Sequence, residues 1–285
     1  MPPLRRLAWT ALVIAALSPL ALLADFDRDA SAAGWKTVWA MGDGADGGRA
    51  SRAVEHLVVT SGRVDRFLYL GDVYPTGTRA QFKRDFRQVY GSLAPVTDPT
   101  PGNHEWPRRE RGYDFYWASV TGHEPPSYYS LSVGGWQLLG LNSEGSHGAH
   151  SRQLRWLRRQ VRAPGTCRIA FWHRPRITHG GHESAPDLNP LWKRLAGHAR
   201  IVLSGHDHTL QRHRPVRGLI EYVAGAGGRG RYHLRSGDPT MVWGRDDVDG
   251  ALRMVLKPGR ALLEFRDAHE HVLDRSRVTC SPDGE

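Results

Sequence analysis

The sequence predicts a single α/β domain made of two halves, the second richer in antiparallel strand. Three observations carry that prediction. From Thr37 to Leu203, short apolar runs alternate with helical patterns, the mark of β-α-β units around a buried sheet. Each run stops within a few residues of a Gly, Asp, Asn or His. Beyond His206 the helical signal thins, and strand-like runs follow one another.

Taken in order, Thr37–Met41 is the first strand. It runs into Gly42-Asp43, and a helix follows at about Arg49–Thr60. Phe67–Leu70 runs into Gly71-Asp72, with a helix at about Arg79–Tyr90. Ala94–Thr97 leads to Pro101-Gly102-Asn103-His104. Gln137–Leu141 is a strand after the Gly134-Gly135 turn. His150–Val161 is a basic amphipathic helix with Leu154, Leu157 and Val161 on one face. Arg168–Trp172 and Ile201–Leu203 are buried strands, with a helix at about Pro190–His198 between them. Leu219–Ala224, Leu252–Leu256 and Ala261–Phe265 complete the strands, and Lys257-Pro258-Gly259-Arg260 marks a hairpin. No internal repeat, low-complexity stretch or linker divides the chain.

Residues 1–32 read as a secretory signal, and 33–285 as the domain. Arg5-Arg6 precede an apolar stretch from Leu7 to Ala24, broken at Ser18-Pro19, and Ala30-Ser31-Ala32 fits a small-x-small cleavage site. The competing reading is an uncleaved membrane anchor; Arg5-Arg6 also allow a twin-arginine signal. The expected location is secreted or cell-envelope.

The chain carries 39 Lys+Arg against 29 Asp+Glu, a surplus of +10 over 285 residues. Residues 1–32 hold Arg5, Arg6 and Arg28 against Asp25, Asp27 and Asp29, so the whole surplus belongs to the domain. It points to an anionic partner: nucleic acid, phosphate compounds or an anionic envelope. The two cysteines exclude a multi-bridge framework and a Cys-rich zinc module. In an exported protein, Cys167 and Cys280 have the chance to pair.

The chemistry-bearing residues stand where strands stop: Asp43, Asp72, Asn103-His104, His173, then His206 and His208. In an open α/β sheet the strand carboxyl ends share one edge, and ligands bind there. Carboxylate, amide oxygen and imidazole together suit a dinuclear cation site. Singly, each has an ordinary explanation: Asp43 as a helix cap, Asn103 as a turn residue, any one His as a structural or solvated group. The ordered series at successive strand ends favours the site.

Gly42-Asp43, Gly71-Asp72, Gly102-Asn103-His104-Glu105, Ala170-Phe171-Trp172-His173 and Gly205-His206-Asp207-His208 resemble the calcineurin-like metallophosphoesterase superfamily, most of all its purple acid phosphatase branch. The resemblance runs from about Thr37 to His208. It implies a four-layer α/β/β/α sandwich, two packed mixed β-sheets flanked by helices. It implies two metal ions (Fe, Zn or Mn), with Asp72 bridging both. Asp43 and His208 would hold the first metal, and Asn103, His173 and His206 the second. His104 would act as general acid toward the leaving oxygen while a metal-bound hydroxide attacks phosphorus.

Two departures stand out. Ala45 occupies a position where the branch has Gly and related branches a ligating His. The branch also places an iron-ligating Tyr three residues after the bridging Asp. Here Tyr74 comes two residues after Asp72, which turns a side chain to the other face of an extended segment unless a loop compensates.

Other patterns are weaker. Gly225-Ala226-Gly227-Gly228-Arg229-Gly230 matches a dinucleotide fingerprint, but no convincing helix follows it. His179-Gly180-Gly181-His182-Glu183 cannot be a zinc-protease helix across its glycines; His182 either reaches substrate or is solvated. Trp106 either walls a pocket or packs in the core. Arg152, Arg155, Arg158, Arg159 and Arg162 form a charged helix face, solvated or turned to a polyanion.

The expectation is an exported dinuclear phosphoesterase acting on phosphomonoesters. The rivals are a phosphodiesterase or nuclease on the same fold, and a non-catalytic surface protein binding polyanions. No dedicated nucleic-acid-binding module is recognisable. Contact with an anionic cell envelope fits the charge, and the sequence leaves the oligomeric state open.

Overall fold

The computed structural model describes residues 34–280, apart from Ser236 and Asp238. The signal segment read at residues 1–32 lies outside the described residues.

Strands β1 (Lys36–Met41), β2 (Arg66–Tyr69) and β3 (Thr97–Pro99) come first, then the hairpin β4 (Tyr129–Val133) and β5 (Trp136–Gly140). Strands β6 (Arg168–Phe171), β7 (Ile201–Ser204), β8 (Leu210–His213), β9 (Ile220–Ala224) and β10 (Met241–Arg245) follow. The chain closes with β11 (Gly250–Lys257), β12 (Arg260–Asp267) and β13 (Val272–Thr279). Two mixed sheets result, in the orders β13-β12-β11-β1-β2-β3 and β10-β8-β9-β7-β6-β5-β4.

The period of two along a strand builds the layers. Val38 and Ala40 of β1 face the second sheet, where they meet Ile169 and Phe171 of β6 and Leu203 of β7. The alternate residues, Trp39 and Met41, face outward against Val54, Leu57 and Val58 of helix α1 (Arg49–Thr60). Sheet two repeats the scheme. Ala170, Trp172 and Val202 turn away from sheet one, toward the helices at Arg152–Gln160 and Asn189–Leu195.

Helix α2 runs without a break through Arg79–Gln81, Phe82–Arg87 and Gln88–Tyr90, the middle part π-helical. A capping box of Thr78 and Gln81 starts it. Helix α3 (Tyr113–Thr121) packs Tyr116 and Trp117 on Phe86, and Gly122 ends it in the left-handed region. Helix α4 (Arg152–Gln160), capped by Ser151, buries Leu154 and Leu157. Helix α5 (Asn189–Leu195) adds Leu191, Trp192 and Leu195 to the same cluster. The architecture is the four-layer sandwich with two mixed sheets.

Cys167 and Cys280 form a disulfide with Cα atoms 5.7 Å apart. Cys167 precedes β6 and Cys280 follows β13, so the bond ties one sheet to the other. One boundary differs from the sequence reading. Ala94–Val96 is a 3-10 turn, and β3 begins only at Thr97. Pro95 occupies the start of that turn, where a missing N–H costs nothing.

Candidate metal centre

The carboxyl ends of β1, β2, β3, β6 and β7 open onto one region, and bonds between their loops draw it together. Gly42 N–H donates to Ala224 O at 2.9 Å, and Thr100 Oγ1 to Leu141 O at 2.7 Å. Asp43, Asp72 and His206 adopt left-handed backbone at φ of 61°, 72° and 65°. That conformation costs a non-glycine residue about 1–3 kcal/mol and persists only where surrounding contacts fix it. The contacts are present. Asp72 N–H donates to Glu105 Oε1 at 3.1 Å, and His206 N–H to Asp43 Oδ2 at 2.6 Å.

Two groups of side chains form. In one, Tyr74 Oη donates to Asp43 Oδ1 at 2.9 Å and lies 2.9 Å from His208 Nε2; Asp43 Oδ1 and His208 Nε2 are 3.5 Å apart. In the other, His173 Nε2 lies 3.0 Å from Asn103 Oδ1, 3.1 Å from His206 Nδ1 and 3.4 Å from Asp72 Oδ1. The donor atoms of Asp72, His173 and His206 all fall within 4.8 Å of one another.

Backbone carbonyls orient the imidazoles. His173 Nδ1 donates to Leu70 O at 2.7 Å and His208 Nδ1 to Gly230 O at 2.5 Å. In the neutral ring this leaves a lone pair on each Nε2. The lone pair of His173 then faces the Asn103 and Asp72 oxygens with no hydrogen between them. Asp72 Oδ1 also accepts from His104 N–H at 3.1 Å, but nothing donates between it and the His173 lone pair, a contact that a cation or an added proton would relieve. This donor set of oxygen and imidazole fits metal ions.

The electrostatics agree. Burial opposes protonation of His173, yet the Asp72 carboxylate outweighs it and pushes the imidazole up to about 10. Burial raises Asp72, but His173 outweighs it and holds the carboxyl well below the usual range. Burial, then the charge of His173, lowers His206 to about 2. Burial, then Asp43, pushes the Tyr74 phenol far above its ordinary value. Burial opposes protonation of His208 as well, but Asp43 outweighs it and raises that imidazole, so each donor group favours a positive charge while His206 stays neutral.

The motif glycines have steric reasons. A Cβ on Gly102 would lie 2.0 Å from Asp72 Oδ1. Gly71 sits at φ +97°, and a Cβ there would lie 2.6 Å from His173 Nδ1.

His104 sits at the edge of the cluster, with Nδ1 donating to Pro75 O at 2.6 Å and Nε2 3.7 Å from Asp72 Oδ2. His182 stacks on His206 at 3.9 Å between centroids. It is half-buried rather than solvated, because Asp207 latches its loop. The Asp207 carboxylate accepts from Thr178 Oγ1, and from Gly180 and Gly181 N–H at 3.0 and 3.1 Å. Tyr74 reaches the Asp43 group despite its offset. Ala45 is buried with its N–H on Tyr69 Oη at 3.0 Å.

Three residues escaped the sequence reading. Glu105 accepts from Asp72, Val73 and Gly102 N–H at 3.1, 3.0 and 2.9 Å, and so holds two motif loops together. Burial, then Asp72, pushes it up to about 8. Its place in Gly-Asn-His-Glu was the available signal. Tyr232 stacks on His208 at 4.3 Å. The Arg229 guanidinium lies 4.8 Å above the Tyr74 ring. Arg229 lies in the 225–230 run, which the sequence places as a loop at the site edge, and Tyr232 lies two residues beyond it, but no local pattern tells which side chains of that loop turn to the site.

A family model for calcineurin-like phosphoesterases matches residues 36–210. No curated protein matches the chain. Among solved structures, the chain is similar to GAP50, the anchor in the inner membrane complex of Plasmodium, with TM-score 0.72 and 12% identity over 87% of this chain and 89% of that one. It is similar to the purple acid phosphatase PPD1 of yellow lupin, with TM-score 0.71 and 17% identity over 88% of this chain and 56% of that one. It is also similar to a dimetal phosphatase from Danio rerio, with TM-score 0.61 and 14% identity over 86% and 99%.

Proposed function

Since the chain belongs to the calcineurin-like phosphoesterase family, we propose that it is an exported, dinuclear phosphatase of purple acid phosphatase type acting on phosphomonoesters. One observation carries the reading: the strand-end residues divide into two donor groups, and Asp72 stands within the second while His104 reaches toward it. Asp43, His208 and Tyr74 would hold one cation, and Asn103, His173 and His206 the other, with Asp72 shared. Such a pair supplies Lewis acidity toward phosphoryl oxygens and acidifies water; the candidates are Fe, Zn and Mn.

The side chains of this protein supply the rest. His104 keeps its Nδ1 proton on Pro75 O, so Nε2 is the atom that passes a proton to the leaving oxygen. His182, latched by Asp207, borders the substrate phosphate. Burial lowers its pKa, which favours a neutral ring offering one N–H. Glu105 keeps Asp72 in its left-handed turn. Export is supported by the leader-like residues 1–32 and by the Cys167–Cys280 bond. The surplus charge suits an anionic envelope.

The test is a substrate panel with metal-loaded protein: an aryl monophosphate, a bis-aryl phosphate and single-stranded DNA. The expected order puts the monophosphate first, and His104→Ala lowers its turnover by about 10²–10⁴. Equal or faster diester turnover would favour the diesterase reading, which the arginine face of α4 supports. Folded, metal-loaded protein that cleaves none of the three would leave an anchoring role like that named for GAP50.

A further inference from the structure

Beside the candidate metal centre lies a cavity of about 580 Å3, walled by Trp106, Tyr128, Asn142, Gly145, Arg152 and Arg155. Its size suits a small organic group. Its position is set by the loops that carry the candidate ligands. Trp106 follows His104 by two residues, and its N–H closes the same turn on Gly102 O at 3.0 Å. Asn142 follows β5, next to β6 and His173. Ser143 Oγ accepts from Arg174 N–H at 3.0 Å, directly after His173. The cavity therefore lies next to the loop that carries His104, on the side where the leaving group of an ester would lie.

Asn142 supplies the pointer to a ligand. It is 1% exposed. Its Oδ1 accepts from Glu144 and Gly145 N–H, both at 2.8 Å, which fixes the amide orientation. Its backbone is clamped on both sides by Gln153, at 2.7 and 2.9 Å. The remaining group, Nδ2, is a buried donor without a partner. Such donors are rare in folded proteins and costly to leave unpaired. A Cβ on Gly145 would sit 3.2 Å from both Asn142 Nδ2 and Trp106 Cζ2. Glycine thus leaves the amide and the indole edge side by side. The indole is held too: Arg109 lies 5.2 Å over its ring, pinned by Asp114 and Ser127.

The mouth is positive. Arg152 and Arg155 are exposed, and none of the described ion pairs involves either. The N-terminus of α4, capped by Ser151, adds its partial charge. A fixed indole, a fixed unpaired donor and a cationic rim together recognise a flat group that carries an acceptor.

We propose that this cavity is the subsite for the organic part of the ester, and that it takes a planar, acceptor-bearing ring such as a nucleobase. The ring packs against Trp106 and accepts from Asn142 Nδ2. Arg152 and Arg155 favour a further negative charge at the mouth. The proposal rests on the phosphatase reading and names its substrate class.

Two measurements test it with metal-loaded protein. The first is the ratio of kcat/KM for a purine nucleoside monophosphate to kcat/KM for glycerol phosphate. The ratio exceeds one in the wild type. It falls about tenfold in Trp106→Ala, as loss of a stacking partner implies, and falls in Asn142→Asp, which keeps the Oδ1 acceptor and loses the donor. Trp106→Phe retains most of it. The second is binding of the unphosphorylated nucleoside, read by saturation-transfer NMR and lost in Trp106→Ala. An unchanged ratio in both variants, with no nucleoside binding, overturns the subsite and leaves the phosphatase reading standing. Trp106-dependent nucleoside binding without hydrolysis of either ester overturns the phosphatase reading and keeps the pocket.

Discussion

Gly102→Ala is a one-carbon test of the candidate metal centre. The added Cβ would lie 2.0 Å from Asp72 Oδ1 and 2.6 Å from Asp72 N. Ordinary contact needs roughly 3.4 Å or more, so the carboxylate must retreat by more than about 1 Å. Asp72 cannot swing freely, because its backbone sits at φ 72° and its N–H is bound to Glu105. Overpacking of this kind costs about 1–3 kcal/mol of stability. A displacement near 1 Å at the reacting centre costs about 10² in rate. The assay is kcat/KM on an aryl phosphate at saturating metal, beside thermal melting. Gly148→Ala is the control, since nothing lies within 4 Å of its Cβ. The expected result is activity down about a hundredfold, melting lowered by a few degrees, and a neutral control. Full activity and full metal content in Gly102→Ala would refute the placement of Asp72.

Three further outcomes follow. Replacing Cys167 and Cys280 by Ser opens a loop closed over a separation of 113 residues, which the chain-entropy relation values at about 5 kcal/mol; calorimetry should show melting lowered by about 10–20 °C. Glu221 is fully buried beneath Arg176 N–H, Ile177 N–H and Ser204 Oγ, and burial pushes it up to about 8. The unfolded chain releases that proton near the ordinary value, about 4.3. This contribution is therefore full at low pH, falls as pH rises toward about 8 and then levels off. Glu221→Gln should flatten that part of the melting-temperature profile, and an unchanged slope would contradict the assignment. Tyr74→Phe removes the Oη between Asp43 and His208; on the proposed ligand set, metal titration should show one of two ions bound more weakly, and a tyrosinate band found in iron-loaded wild type should be missing from the variant.

Much of the fold was legible because the strands that lead to the site are short and largely buried. Runs such as Thr37–Met41 and Ile201–Leu203 face two apolar layers at once and so lack polar interruptions. Strand β13, with Asp274, Arg275 and Arg277, was not legible. It is an edge strand with water on one side, ordered by pairing to β12. The 3-residue β3 carries Asp98 and Pro99, poor strand formers that pairing with β2 holds in place. The residues gathered at the site were legible as the last features of their strands. The position of Tyr74 was not, since it depends on the path of a loop. Asp207 gave no local sign that it latches the His182 loop, and the unpaired Asn142 donor has no sequence signature.

The most direct test is metal titration of the stripped, folded protein, read as phosphate release from an aryl monophosphate. The proposed function predicts negligible release without metal and a rise that levels off at two ions per chain. It also predicts a large loss of that plateau in Asp72→Ala. Levelling at one ion, or no release with two ions bound, would contradict a shared dinuclear centre at Asp72.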